Sequence, residues 1–444
     1  MFDILTQIPY IGGLLATVIP FVIALCTVVF IHEFGHYIVG RWCGIQAEAF
    51  SLGFGPVLFS RTDKRGTKWQ IAAIPLGGYV RFLGDADAAS RPSATGVSED
   101  LSHKTLNGAK LYKRALTVLA GPASNFILSI VIYGALAYST GMLSSDAVIG
   151  KLAPMPAGMS QLHKGDKILA INNHKVEKFA DIVDFSSTLD GNSDITYTVE
   201  RDGQKLDVIG PYISPALVGW VMPVSPASKA GLKEGDVILA ANGIELHSFG
   251  QLIKTIQASD KSTIDLKIWR DGTEMHVAIT PEYRDVPINQ TDFEKRMMIG
   301  VSNGFSFAPP TLKISVLKAA DFGVKSTYFV FNSSINGIYQ IATGRVAAKN
   351  LQGPVGIARI FGDTASVGFM AFLESIAYIS TAIGFLNLMP IPVLDGGHLV
   401  MYAFEAVFRR PPGAKAIQVA MTMGLMLLLS LMVFSTVNDI SRFF

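Results

Sequence analysis

Long apolar stretches flank a polar middle along this chain. Residues about 10–36 and about 115–138 run almost without charge, as a helix crossing hydrocarbon over roughly 20 residues requires. A third stretch, about 369–405, is interrupted by Asn387, Pro390, Pro392 and Gly396-Gly397, and a fourth, about 416–436, contains MTMGLMLLLSLMVF. The pattern predicts four transmembrane helices, the third of them broken. Between the second and third, the period changes. Residues 163–187, HKGDKILAINNHKVEKFADIVDFSS, align with residues 233–257, KEGDVILAANGIELHSFGQLIKTIQ. Gly165-Asp166 maps to Gly235-Asp236, Asn172 to Asn242, Phe179 to Phe249, and Arg201-Asp202-Gly203 to Arg270-Asp271-Gly272. Each copy reads as an apolar strand after a Gly-Asp turn, an Asn turn, a helix, and a hairpin closed by Arg-Asp-Gly. The fold class expected is an α-helical polytopic membrane protein with two inserted α+β domains.

The domain limits expected are 1–138 for the first two spans, 139–212 and 213–285 for the two repeats, 286–368 for a connecting segment, and 369–444 for the last two spans. Within the connecting segment, Leu312, Val316, Ala320, Val324, Tyr328, Phe331 and Ile335 form an apolar stripe at helical spacing. Such helices lie on a membrane surface or pack on the repeat pair. Residues about 45–85 hold alternating strands with a Gly77-Gly78 break after Pro75, a β-hairpin or loop.

Composition agrees with a membrane protein. Of 444 residues, 50% are hydrophobic and only 16% charged, with mean hydropathy +0.38, too apolar for an ordinary soluble enzyme. The net charge of +2 says nothing about nucleic acid, and no basic patch with interleaved aromatics points to such a partner, so none is expected. Two cysteines, Cys26 and Cys43, make neither a disulfide framework nor a Cys-x-x-Cys site. The N-terminus lacks a basic region and a small-residue cleavage site, so the first apolar run reads as a retained span. Basic residues cluster after the first span (Arg41, Arg61, Lys64, Arg65, Lys68, Arg81, Lys110, Lys113, Arg114) and between the third and fourth (Arg409, Arg410, Lys415). Both loops are therefore expected in the cytoplasm, with both termini and the repeats outside.

The first span carries an anomaly, His32-Glu33-Phe34-Gly35-His36. Ionisable residues are costly in hydrocarbon and mark function when present. On a helix, residues four apart share a face, so both imidazoles reach one metal, and Glu33, about 100° round the helix, can take a proton from water there. Catalytic zinc wants a third protein ligand and an open position. The best candidate is Asp395 in NLMPIPVLDGGH (387–398), an acid beside helix breakers in the third span. The spans run the same way, and His32 precedes Arg41 much as Asp395 precedes Arg409, so both fall in the cytoplasmic half of the membrane. His398 is the rival ligand. Asn125 reads as a packing residue between spans.

These residues together resemble the site-2 protease family. HEFGH in the first span, NLMPIPVLDGG in the third and the repeats between spans two and three carry the likeness. FSLGFGP (50–56), IPLGGYVRFLG (74–84), AGPASN (120–125) and LQGPVGI (351–357) extend it over nearly the whole chain. The second repeat, VSPASKAGLKEGDVILAANG (224–243), looks like a PDZ domain of the bacterial protease-associated type, which accepts an extended peptide as an added strand. The first, PMPAGMSQLHKGDKILAINN, departs from that lead-in. The resemblance implies a zinc intramembrane metalloprotease of the bacterial inner membrane with ligands His32, His36 and Asp395 and Glu33 as general base. It also implies that the 69–83 segment re-enters the membrane, and that Asn387, Pro390, Pro392, Gly77 and Gly78 handle an unwound substrate. Some relatives carry an Asn where this chain has Ala382. Implied substrates are single-span membrane proteins: an anti-sigma factor already cut in the periplasm during an envelope stress response, and remnant signal peptides. The PDZ pair then binds the new C-terminus or excludes bulky substrates. The competing classes are a membrane-anchored binding protein with a structural metal and a metal transporter, and both predict that Glu33 is dispensable.

Overall fold

A computed structural model describes residues 12–84, 99–156, 160–186, 188–189, 195–222, 224–287, 293–346 and 351–441. The elements divide between two compact units, one comprising Met1–Leu136, Val316–Ala342 and Ala348–Phe444, the other Ala137–Ser315 and Thr343–Ala347.

The first unit contains α1 (Gly12–Trp42), β1 (Ala47–Thr62), β2 (Lys68–Phe82), α2 (Leu111–Thr140), α3 (Val316–Ala342), α4 (Pro354–Val367), α5 (Phe369–Asn387), α6 (Asp395–Phe408) and α7 (Ala414–Ser441). Among the described residues, α1, α2, α5 and α7 are the four helices long and apolar enough to cross a membrane. Residues 10–11, at the expected start of the first span, lie outside the described residues. Ala24 and Val28 of α1 form a buried cluster with Phe361 and Ala365 of α4 and Phe372 and Ile376 of α5. The Asp439 carboxylate of α7 accepts from the Gly356 N–H at the α4 N-terminus (2.7 Å), where helix amides are unpaired and negative charge is favoured. Any side chain at Gly353 would meet that carboxylate at 2.8 Å, which accounts for the glycines of LQGPVGI.

Helix α3 packs on the protein by the face beside its apolar stripe. Val316, Val324 and Tyr328 are exposed, and the buried face is Ala319, Gly323, Thr327 and Val330, one position earlier in register. Val330 packs with Tyr133 of α2 and Ala377 of α5. A Cβ at Gly323 would strike the Ile130 carbonyl, and one at Gly134 would lie 3.1 Å from the Ala319 carbonyl. Between helices in lipid, close backbone approach over small residues drives packing, and large apolar side chains can face the hydrocarbon. Val316, Val324 and Tyr328 therefore mark the outward face, while Phe331 of the same stripe turns inward against Phe126 of α2 and Phe385 of α5.

The hairpin is strongly bent. Residues 49–52 of β1 pair with 78–81 of β2 and also with 68–71, while 57–62 pair with 68–72. Gly53 and Gly55, at φ 92° and 84°, supply the bend that L side chains resist. Phe54, Val57, Leu58, Phe59, Ile71 and Ile74 are exposed, an apolar surface suited to lipid. The turn is pinned by Asp63, which accepts from Arg65 N, Thr67 N and Trp69 Nε1.

In the second unit the two repeats have the same strand order. One sheet runs His174–Lys175, Lys167–Ile171, Ile195–Arg201, Gln204–Gly210; the other runs Ile244–Glu245, Val237–Ala241, Ile264–Arg270, Thr273–Ile279. The matched residues do matched jobs. Asp166 pairs with Arg201 at 2.7 Å and Asp236 with Arg270 at 2.6 Å. Asn172 accepts from Thr196 N and Asn242 from Asp265 N, both at 2.9 Å. Asp202-Gly203 and Asp271-Gly272 both have positive φ, as two-residue hairpin turns need. The closing strands come from further along the chain. Val301–Asn303 pairs with Val218–Val221, then Phe307–Ala308 pairs with Lys151–Leu152. Met297 and Ile299 enter the second repeat's core, and Phe307 enters the first's. The second module is thus nested inside the first, and part of the segment expected to be a connector belongs to the modules. The Ala157, Gly158 and Met159 lead-in of the first copy lies outside the described residues.

Candidate metal centre

His32 and His36 lie one turn apart on α1, both buried, because a helix returns to the same face after about 3.6 residues. Their Nε2 atoms are 3.2 Å apart. Asp395 Oδ2 stands 3.2 Å from His32 Nε2 and 3.4 Å from His36 Nε2, and this buried oxygen accepts no well-directed hydrogen bond. His36 Nδ1 is 2.8 Å from the Thr117 carbonyl. A carbonyl only accepts, so Nδ1 carries the proton and Nε2 presents a bare lone pair. Lone pairs this close repel unless a proton or metal cation sits among them. The edges of a zinc tetrahedron with ligands at about 2.0–2.1 Å are about 3.3–3.4 Å long, close to the separations seen. The donor set of two imidazoles and a carboxylate also suits zinc, so the residues present fit the metal.

The chain folds locally to bring Asp395 in. Helix α5 ends at Asn387, and α6 starts at Asp395. Pro390 and Pro392 lie in the break, where a ring without N–H cannot continue a helix. The glycine pair is needed for closeness: a Cβ at Gly396 would strike the Leu388 and Met389 carbonyls, and one at Gly397 the Ile391 carbonyl. Arg114 of α2 bonds Glu405 of α6 and stacks over Tyr402 at 5.2 Å, tying α6 to α2. His398, three residues beyond Asp395, is not part of the His32–His36–Asp395 group.

Glu33 lies beside this group, within electrostatic reach of both histidines and Asp395, and the Val80 amide of β2 hydrogen-bonds it. The strand comes this near because Gly78 has no side chain. A Cβ there would stand 2.9 Å from Val29 Cγ1 and 3.2 Å from Glu33 Cγ. A Cβ at Gly77 would strike the Phe54 ring. Asn387 is the last residue of α5 and only partly buried.

Helix α2 supplies what spacing on α1 did not reveal. A Cβ at Gly121 would collide with the His36 imidazole and lie 2.9 Å from His32 Cε1. Ser124 Oγ donates to the Ile31 carbonyl at 2.8 Å, and the Asn125 side-chain amide lies 3.2 Å from His32 Nδ1. Thr117, Gly121 and Asn125 recur every four residues, one helix face, and that period was the available signal. Ser129 Oγ and Ser380 Oγ both bond the Asn125 carbonyl, joining α2 to α5.

Comparison with known proteins agrees with this architecture. The pattern of Peptidase family M50 matches residues 20–431. A protein of Agrobacterium fabrum named as a zinc metalloprotease is 38% identical over 434 residues, covering 97% of both chains. One of Pasteurella multocida, likewise named, is 33% identical over 454 residues, 95% of this chain and 98% of its own. The regulator of sigma-E protease RseP of Escherichia coli is 31% identical over 457 residues, 95% of this chain and 98% of its own. The chain, with its His-His-Asp group drawn from α1 and the first residue of α6, is a zinc metalloprotease and a member of Peptidase family M50, the site-2 proteases.

Proposed function

We propose that the protein hydrolyses a peptide bond inside the membrane-spanning segment of single-span proteins, with His32, His36 and Asp395 holding zinc and Glu33 as general base. The convergence of three donor atoms within 3.4 Å, on apolar helices and beside Glu33, carries this reading. When bound, zinc supplies a Lewis acid for the scissile carbonyl and lowers the pKa of water. Glu33 accepts the proton of the attacking water and returns it to the nitrogen of the leaving amine as the C–N bond breaks. A helical peptide bond hides its carbonyl in the helix, so the substrate must unwind. In this reading the strand at Gly77–Val80 offers backbone pairing for the unwound stretch, and the Asn387 amide and the break at Pro390 and Pro392 help to hold it.

The modules are PDZ domains in this reading. In the second, an apolar cleft of about 110 Å³ is lined by Phe249, Ile253, Ile256, Met297, Ile299 and Val301 together with Arg296, a composition suited to an apolar side chain bearing a terminal carboxylate. This favours capture of a newly cut C-terminus over exclusion of bulky substrates. The distribution of basic residues supports an orientation with the modules and both termini in the periplasm and the zinc in the cytoplasmic half of the inner membrane. The substrates are an anti-sigma factor after its first periplasmic cut and remnant signal peptides. Reconstitution with a single-span reporter tests the reading. Mass spectrometry should place the cut within the apolar segment, and a cut confined to the soluble flanks would refute it.

A further inference from the structure

We infer that Asn125 is a positioning residue that holds His32 in its metal-binding tautomer; the inference rests on the zinc reading above. Asn125 is fully buried, and its amide lies 3.2 Å from His32 Nδ1. Two orientations of that amide differ by a half-turn. With the nitrogen toward His32, Nδ1 must be the acceptor and the imidazole proton sits on Nε2. That proton would point into the group formed by His36 Nε2 and Asp395 Oδ2, where a ligand nitrogen must be bare. With the oxygen toward His32, it accepts the Nδ1 proton, and the Nε2 lone pair faces the metal.

His36 has the same arrangement in simpler form. The Thr117 carbonyl can only accept, and it sets the His36 tautomer from the same face of α2. Orienting partners of this kind raise the basicity of a ligating imidazole and fix its ring. Asn125 is itself held still: Ser129 and Ser380 hydroxyls bond its carbonyl at 3.0 and 2.9 Å. Those two bonds use the backbone and survive any side-chain change, so the packing role of this position can be separated from its role toward His32.

The test is zinc affinity by chelator competition on the purified full-length protein, with thermal melting of the zinc-free form measured alongside. Asn125→Leu removes the acceptor and is expected to weaken zinc about 10–100-fold, while the zinc-free melting temperature stays near that of the wild type. Asn125→Asp keeps an oxygen facing Nδ1 and should hold zinc at least as tightly as the wild type. Should the leucine variant fail to fold, Asn125→Ala is read in its place. A folded leucine or alanine variant with wild-type affinity overturns the inference, and so does an aspartate variant that loses zinc. A wild-type protein that binds no zinc would remove the zinc reading itself, a result distinct from indifference at Asn125.

Discussion

Asp395 Oδ2 lies 3.2 Å from His32 Nε2, although the two residues sit near opposite ends of the chain. The break between α5 and α6 and the glycines after Asp395 make this approach possible. Asp395→Asn keeps the shape and removes the charge a divalent ion needs. Metal analysis of the purified variant should show zinc reduced to a small fraction of the wild-type content, while His398→Ala retains it. Full zinc in Asp395→Asn would move the third ligand elsewhere.

Gly121 is predicted to be intolerant of even a methyl group. Its Cβ would overlap the His36 ring, so Gly121→Ala must push an imidazole out of line. Displaced ligation should weaken zinc by about tenfold or more, measured by chelator competition. Unchanged affinity would mean that α1 and α2 stand further apart than described.

The packed face of α3 can be checked by contrast. Gly323→Leu drives a side chain into the Ile130 carbonyl and should destabilise by about 1–3 kcal/mol, the usual cost of overpacking. Tyr328→Ala, on the exposed face, should leave the melting temperature in detergent nearly unchanged. The reverse ranking would restore the stripe of large residues as the buried face.

The first repeat should loosen in acid. Burial alone would raise the Asp166 carboxyl, but hydrogen bonds from Arg201 and the His163 amide outweigh it and hold the carboxyl below its ordinary value. A depressed folded-state value means the stabilisation is complete above the unfolded value of about 3.9 and is lost as pH falls below it. Hydrogen exchange in Lys167–Ile171 and Ile195–Arg201 should lose protection over that acid range. In Asp166→Asn the protection should be lower from the start and less dependent on pH.

Much of this architecture is legible in the residues themselves. The His32–His36 spacing, the acid at Asp395 beside helix breakers, and the paired Asp-Arg and Asn positions of the repeats all depend on local periodicity or on matched motifs. What stays hidden depends on contacts between distant segments. Phe307 closes the first module from beyond the second, and no local period announces that return. The stripe on α3 does not show which face packs on protein: Val316, Val324 and Tyr328 are exposed, and the small residues beside them, Ala319, Gly323 and Thr327, are buried. The Thr117–Gly121–Asn125 face was present in the period of α2, but its purpose depends on which helix lies opposite.

The most direct measurement is cleavage of a single-span reporter by Glu33→Gln protein whose zinc content is determined on the same sample. The substitution keeps the side chain's shape beside the His32–His36–Asp395 group and removes its ability to take a proton. The expected result is zinc at wild-type content with cleavage slower by about 10²–10⁴-fold, the usual contribution of a general base. Cleavage at the wild-type rate with zinc bound would contradict the account.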